Sequence, residues 1–140
     1  MDDVRIREEP ALRYASMERQ LRADAIDAFV RGAIEDLRRE HRASGKPFTM
    51  YHGCSKDDEQ IVQVCVPTDD GAHELPAQPL AFTVVRGPEC AYPEILKAYD
   101  AVVAFAENAG RALGGAPRET YLTDPGEDDP QMEIAFPLLT

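Results

Sequence analysis

The chain has 140 residues, 44% of them apolar, with 26 acidic against 15 basic side chains for a net charge of −11. That length fits one domain with an apolar core, and no apolar run reaches the roughly 18 residues that a membrane-spanning helix requires. The charge excludes direct nucleic-acid binding, which relies on clustered Lys and Arg at phosphates, whereas an acidic surface gathers cations around it.

The opening Met1-Asp2-Asp3-Val4 lacks the basic and then apolar pattern of a secretory signal. Three cysteines, Cys54, Cys65 and Cys90, are an odd number at irregular spacing and suit reduced thiols better than a disulfide framework. Both features lead to the expectation of a cytoplasmic protein with no membrane contact.

Along the chain, residues 4–8 alternate apolar and charged side chains, and 12–18 are β-like but mixed. Ile26, Phe29, Val30, Ala33, Ile34 and Leu37 then follow helical spacing, with a start at Asp24 and a stop at Gly45 and Pro47. Arg31, Arg38, Arg39, Arg42 and Lys46 read as the solvated face and tail of this helix, balanced by pairs such as Glu35 with Arg39. Strands are expected at 48–53 and 61–66, joined by the polar loop Ser55-Lys56-Asp57-Asp58-Glu59. Residues 67–79 read as a connection. A strand at 80–85 leads through Gly87-Pro88 to a second helix carrying Ile95, Leu96, Tyr99, Val102, Val103 and Ala106, which fades by Gly114-Gly115. Strands at 118–122 and 132–136 close the chain.

A shift of 70 positions sets Gly45-Lys46-Pro47 on Gly115-Ala116-Pro117, Tyr51 on Tyr121, and Val62-Gln63-Val64-Cys65-Val66-Pro67 on Met132-Glu133-Ile134-Ala135-Phe136-Pro137. Strand, helix, strand, strand recur in one register, which predicts an internal duplication. The expected fold is therefore α+β: two strand–helix–strand–strand units related by a pseudo-two-fold axis, within a single domain over 1–140. Repeat one covers about 4–69 and repeat two about 78–138. Antiparallel sheet is backed by both helices, and a ligand cleft lies between the repeats.

Strand parity puts Met132, Ile134 and Phe136 toward the helices and Glu133 on the opposite face with Ala135. A carboxylate among Met, Ile, Ala and Phe is poorly solvated, and its natural partner is a cationic ligand or an arginine. The plain alternative is a structural ion pair or simple alternation. Tyr51 and Tyr121 are either aromatic ligand contacts or duplicated core residues. Gln63 is the counterpart of Glu133, and Tyr92 either overhangs the cleft or packs the helix start. His41, His52, His73 and Cys54 have no metal-ligand spacing, the serines no nucleophile elbow and the glycines no phosphate-cradling loop. Cys90 lies near a helix start, where a thiolate is favoured, but reads more simply as an ordinary free cysteine.

With these elements in order, the chain resembles the GyrI-like small-molecule-binding domain, the effector-binding domain of AraC- and MerR-type regulators. The likeness rests on residues 4–9 with Pro10, 45–51, 62–67, Arg86-Gly87-Pro88 entering a helix with Ala98-Tyr99, Pro117-Arg118-Glu119-Thr120-Tyr121-Leu122 with Asp124-Pro125, Met132-Glu133-Ile134 and Pro137. It implies an aromatic cleft with a buried glutamate that accepts lipophilic cations. Glu133 falls on the glutamate-bearing strand, and Tyr51 and Tyr121 fall where aromatics recur. Gln63 departs from a second glutamate, and Phe105 stands where many members have tryptophan. The likeness fills residues 4–138, so no helix-turn-helix domain is expected alongside it.

The primary reading is a non-enzymatic binder of hydrophobic, cationic or amphipathic molecules, acting in drug sensing or sequestration without cofactor or metal. A hydrolase of electrophiles, with Glu133 activating water and Tyr51 or Tyr121 donating a proton, is the enzymatic alternative. A protein-interaction module such as a gyrase modulator, using its acidic exterior, is the third.

Overall fold

The structure is a computed structural model describing residues 1–54 and 58–140; Ser55, Lys56 and Asp57 of the expected acidic loop lie outside the described residues. In chain order the elements are β1 (Arg5–Glu9), β2 (Leu12–Leu21), α1 (Ala23–Glu40), β3 (Phe48–Cys54), β4 (Gln60–Pro67), β5 (His73–Leu75), β6 (Gln78–Arg86), α2 (Leu96–Asn108), β7 (Arg118–Tyr121) and β8 (Gln131–Pro137), with a 3-10 turn at Gly87–Cys90. The class is α+β. The chain forms two compact units, one of Ala11–Pro76 and one of Met1–Pro10 with Ala77–Thr140.

In the unit of Ala11–Pro76 the strand order is β3-β4-β2-β5, all antiparallel. α1 buries Val30, Ala33, Ile34 and Leu37, the heart of the expected stripe, and each large side chain so buried stabilises by about 1.5–3 kcal/mol. The Arg19 guanidinium lies 5.5 Å from the Phe29 ring centre. The helix thus covers the sheet face of Ala15, Met17 and Arg19 with their β4 partners Val66, Val64 and Val62, and these valines are fully buried. Tyr14, Ser16 and Glu18, opposite Pro67, Cys65 and Gln63, occupy the other face.

α1 stops at Glu40, short of the expected Gly45-Pro47. His41 is already extended, Ala43 bridges to Thr68, and the Ser44 N–H donates 2.8 Å to the Pro67 carbonyl. Pairing with the end of β4 therefore claims residues that helix propensity alone leaves open. On the helix surface Arg31 pairs with Asp27, and Arg39 with Asp36 rather than Glu35. The segment 67–79, expected as plain connection, contains β5, whose three residues are too few to give a readable period.

In the other unit the order is β1-β6-β8-β7, again antiparallel, with β1 pairing β6 from Arg5↔Phe82 to Glu9↔Gln78. α2 buries Ala98, Val102 and Ala106. Val102 and Ala106 cluster with Ala81 and Leu138, and Val4 and Phe136 pack against them. Leu96, expected in the stripe, is exposed. The helix ends at Asn108 rather than fading toward Gly114, because Gly110 takes a φ of 68° that only glycine adopts freely. Its N–H donates to the Glu107 carbonyl and that of Arg111 to Ala106, a Schellman closure.

The Tyr99 ring meets Phe136 edge-on at 5.8 Å, so α2 lies over the face of Met132, Ile134 and Phe136, as parity predicts. Among the described residues no helix is long and apolar enough to cross a membrane.

Gly71 closes the turn into β5 so tightly that a Cβ there meets the Tyr14 backbone carbonyl at 2.4 Å. Gly71→Ala should lower the urea midpoint by about 1–3 kcal/mol of stability; an unchanged midpoint would mean that this approach is relaxed in solution.

Candidate functional site

On the sheet face away from α2, Glu133 sits between Val84 of β6 and Thr120 of β7. Phe82 and Ala135 form the next pair along that face. β1 continues it outward: Arg5 stands opposite Phe82 and Arg7 opposite Leu80, so Arg5, Arg7 and Glu9 all project to the Glu133 side. Leu80, Ala135, Arg118 and Glu133 are buried, whereas Phe82, Val84, Thr120 and Arg7 are half-buried. The face is therefore most accessible toward β1.

Glu133, only 8% exposed, is held by a forked ion pair. Arg7 donates from Nη1 to Oε2 at 2.6 Å and from Nη2 to Oε1 at 2.7 Å, while its Nε donates to Glu9 at 2.7 Å. The Arg7 guanidinium carbon also lies 4.4 Å from the Phe82 ring centre, and that of Arg5 lies 5.9 Å from the same ring. The planar cation is thus bound by carboxylates in its plane and an aromatic ring on its face. Hydrogen bonding to Glu133 raises the pKa of Arg7 above its already high ordinary value, against the opposing effect of burial. The arrangement is an ion pair internal to the chain, with an aromatic ring against the guanidinium.

The alternation that puts Glu133 here sends Tyr121 elsewhere. Tyr121 pairs with Met132 on the α2-covered face, and Tyr51 likewise pairs with Val62 on the α1-covered face. Neither tyrosine shares a face with its own unit's Glu133 or Gln63. Gln63 is buried; its amide nitrogen donates to Ser16 Oγ at 3.1 Å and its carbonyl oxygen lies 2.8 Å from His52 Nε2. Tyr92 stands in the turn before α2, 79% exposed. Tyr99, carried by α2, donates its hydroxyl to the buried Glu119.

Sequence reasoning missed Arg7, Glu9 and Phe82. The signal was present in β1, where Arg5, Arg7 and Glu9 share one parity, but grouping residues 4–8 with 12–69 left that strand without its true neighbour β6.

Other reactive groups are dispersed. His41 lies 3.5 Å from Asp70, and His73 stacks on Tyr14 at 5.3 Å. Among the described residues no three His, Cys, Asp or Glu side chains gather as metal ligands. Burial, with the Glu89 and Glu119 carboxylates adding to it, pushes the Cys90 thiol up from its ordinary value. This is opposite to the thiolate that a helix-start position favours: Cys90 precedes α2 by six residues and instead faces the carbonyls of Val85 and Pro130.

No protein-family model matches the chain, and no curated protein matches it either. Solved structures do. The EcmrR C-terminal domain superposes with a TM-score of 0.78 at 18% identity, covering 99% of this chain and 98% of that one. EcmrR in its DNA complex within EcmrR-RPo gives the same score and identity, and the chain spans only 57% of that longer protein. SAV2435 bound to tetraphenylphosphonium gives 0.70 at 14% identity, with 99% and 94% covered, and a hydrolase from Listeria innocua gives 0.70 at 11%, with 98% and 92% covered. At such identities the likeness is one of fold. The chain has the fold of the GyrI-like effector-binding domain.

Two measurements follow from this geometry. Arg7→Gln should destabilise by about 1–3 kcal/mol in urea, because it strands a buried carboxylate, and adding Glu133→Gln should recover part of the loss; simple additivity would deny the coupling. At neutral pH a raised pKa leaves less thiolate, so a thiol reagent should modify exposed Cys54 first and reach Cys90 and buried Cys65 slowly. Equal rates at Cys54 and Cys90 would contradict the partial burial of Cys90.

Proposed function

We propose that the chain is a non-enzymatic small-molecule-binding module of the effector-binding type, which reads a lipophilic cation through Glu133 and Phe82 for drug sensing or sequestration. The observation that carries this reading is the buried Glu133 carboxylate beside an aromatic ring, already gripping a guanidinium. The same arrangement that holds an arginine suits a ligand cation with aromatic surface. SAV2435, of the same fold, is bound to such a cation. Gln63, Tyr51, Tyr121 and Tyr92 enter the proposal with less support. The first is engaged by Ser16 and His52, the two strand tyrosines lie on helix-covered faces, and Tyr92 stands in a turn outside the sheet.

The reading includes an internal duplication. Its support is that the pairs Phe48↔Cys65 and Met50↔Gln63 recur 70 positions later as Arg118↔Ala135 and Thr120↔Glu133. The strands before each helix match at 66 instead, Ser16↔Cys65 against Phe82↔Ala135, so the offset changes within the helical segment.

Hydrolysis of an electrophile is the second reading, favoured by the likeness to the Listeria innocua hydrolase. Against it, Tyr121, a tyrosine expected to donate the proton, lies on the opposite face of its sheet from Glu133. Turnover of a reactive substrate that disappears in Glu133→Gln would favour it.

The deciding experiment is a thermal shift of wild type and Glu133→Gln with tetraphenylphosphonium and its anionic counterpart of equal shape, tetraphenylborate. At 100 times its dissociation constant a ligand stabilises by about 2.7 kcal/mol. The expected result is stabilisation by the phosphonium alone, lost in the variant. Equal shifts from both ions would reduce the interaction to greasiness and remove Glu133 from the account.

A further inference from the structure

We propose that Arg7 is a tethered occupant of the cation position at Glu133, so that a cationic ligand enters this site by displacing it. The inference rests on the reading of Glu133 as the charge-reading residue. Every contact that such a site offers a cation is already taken by the arginine: both oxygens of Glu133, one oxygen of Glu9, and the face of Phe82. A second cation brought beside them finds neither oxygen of Glu133 nor the Phe82 face open to it, so recognition through Glu133 begins only when the guanidinium leaves.

The structure gives the arginine a way out. Among the described residues β1 is an edge strand of five residues that pairs on one side only, with β6. The Arg7 side chain is 36% exposed above a Glu133 side chain that is 10% exposed, so the cation covers the carboxylate from the solvent side. Rotation of a flexible three-methylene stem uncovers Glu133 without breaking the strand ladder. Glu9, more exposed than Glu133, keeps a counter-charge within reach of the displaced guanidinium.

Displacement also sets ligand class. Arg7 combines charge, planarity and stacking, so a small hydrated ammonium or alkali ion competes poorly. A monocation with aromatic surface replaces both the charge and the ring contact. The affinity seen from outside is the intrinsic affinity reduced by the fraction of molecules in which Arg7 has left.

The test titrates the full chain with tetraphenylphosphonium by calorimetry, for wild type, Arg7→Gln, Arg7→Lys, Glu133→Gln and Arg31→Gln. Removing the occupant in Arg7→Gln should tighten binding by about 10- to 100-fold, the correction expected if Arg7 holds the site 90–99% of the time. Arg7→Lys keeps a charge but loses the fork and the stacking, should fold if Arg7→Gln does not, and should tighten by a smaller factor. Arg31→Gln makes the same change in net charge on the exposed face of α1 and should stay within about twofold of wild type.

If wild type binds through Glu133 while both Arg7 variants bind at or below its affinity, Arg7 is a structural partner; the inference falls and the function stands. If Arg31→Gln tightens as much as Arg7→Gln, net charge explains the effect and the inference falls. If no variant binds, the proposed function fails and the inference fails with it.

Discussion

A carboxylate set into a strand between Met132 and Ile134 persists only if positive charge reaches it, because burying an unpaired ion costs more than a small domain can spare. That requirement organises one whole side of the unit formed by Met1–Pro10 and Ala77–Thr140. β6 separates β1 from β8 in the sheet, and Arg7 stands opposite Leu80 whereas Glu133 stands opposite Val84, so the fork runs diagonally across the intervening strand. The arginine and glutamate side chains extend toward each other to close that diagonal, and Phe82 on the intervening strand supports the flat face of the guanidinium on the way. A lysine lacks both the planar fork and the stacking surface. The edge strand is thus fixed twice, by its backbone ladder to β6 and by one side chain that passes over that neighbour.

In the other unit, the buried polar side chain of β4 is served by different chemistry. Gln63 is neutral and carries both a donor and an acceptor, so its needs are met by one group of each kind. Ser16 accepts from the amide nitrogen, and His52 faces the amide oxygen with Nε2, which assigns the proton to that nitrogen. A hydroxyl and an imidazole serve an amide as well as a guanidinium serves a carboxylate. Gln63 and Glu133 thus each have partners matched to their own charge.

Most of the fold was legible because period-two and period-3.6 patterns report burial directly. The stripe through Val30, Ala33, Ile34 and Leu37, and the parity of Met132, Glu133 and Ile134, both carried through to the faces they occupy. What escaped depended on long-range pairing. The early end of α1 follows from Ala43 and Ser44 meeting β4, and β5 exists only because β2 offers it an edge. The candidate site was half legible for the same reason. Glu133 announced itself as a charge in an apolar strand, whereas Arg7 in a strand of alternating charges looked like an ordinary solvated face. Parity also separates Tyr121 from Glu133, so the sequence comparison that paired Tyr51 with Tyr121 drew attention to aromatics on the opposite face from Glu133 and Gln63.

The route of the chain has a consequence for biosynthesis. Ala11–Pro76 is one continuous stretch, inserted between two pieces that form the other unit together. All the strand pairings of the inserted unit lie within that stretch. β1 is made first but has no partner until β6 follows, and Arg7 waits for a carboxylate 126 positions later. At typical synthesis rates that interval is about 6–25 s. Until β6 follows, β1 is an unpaired, highly charged segment, a composition that resists sticking to other chains. The alternating charges that obscured β1 as a site are therefore well suited to a strand that must stay soluble alone before it can be used.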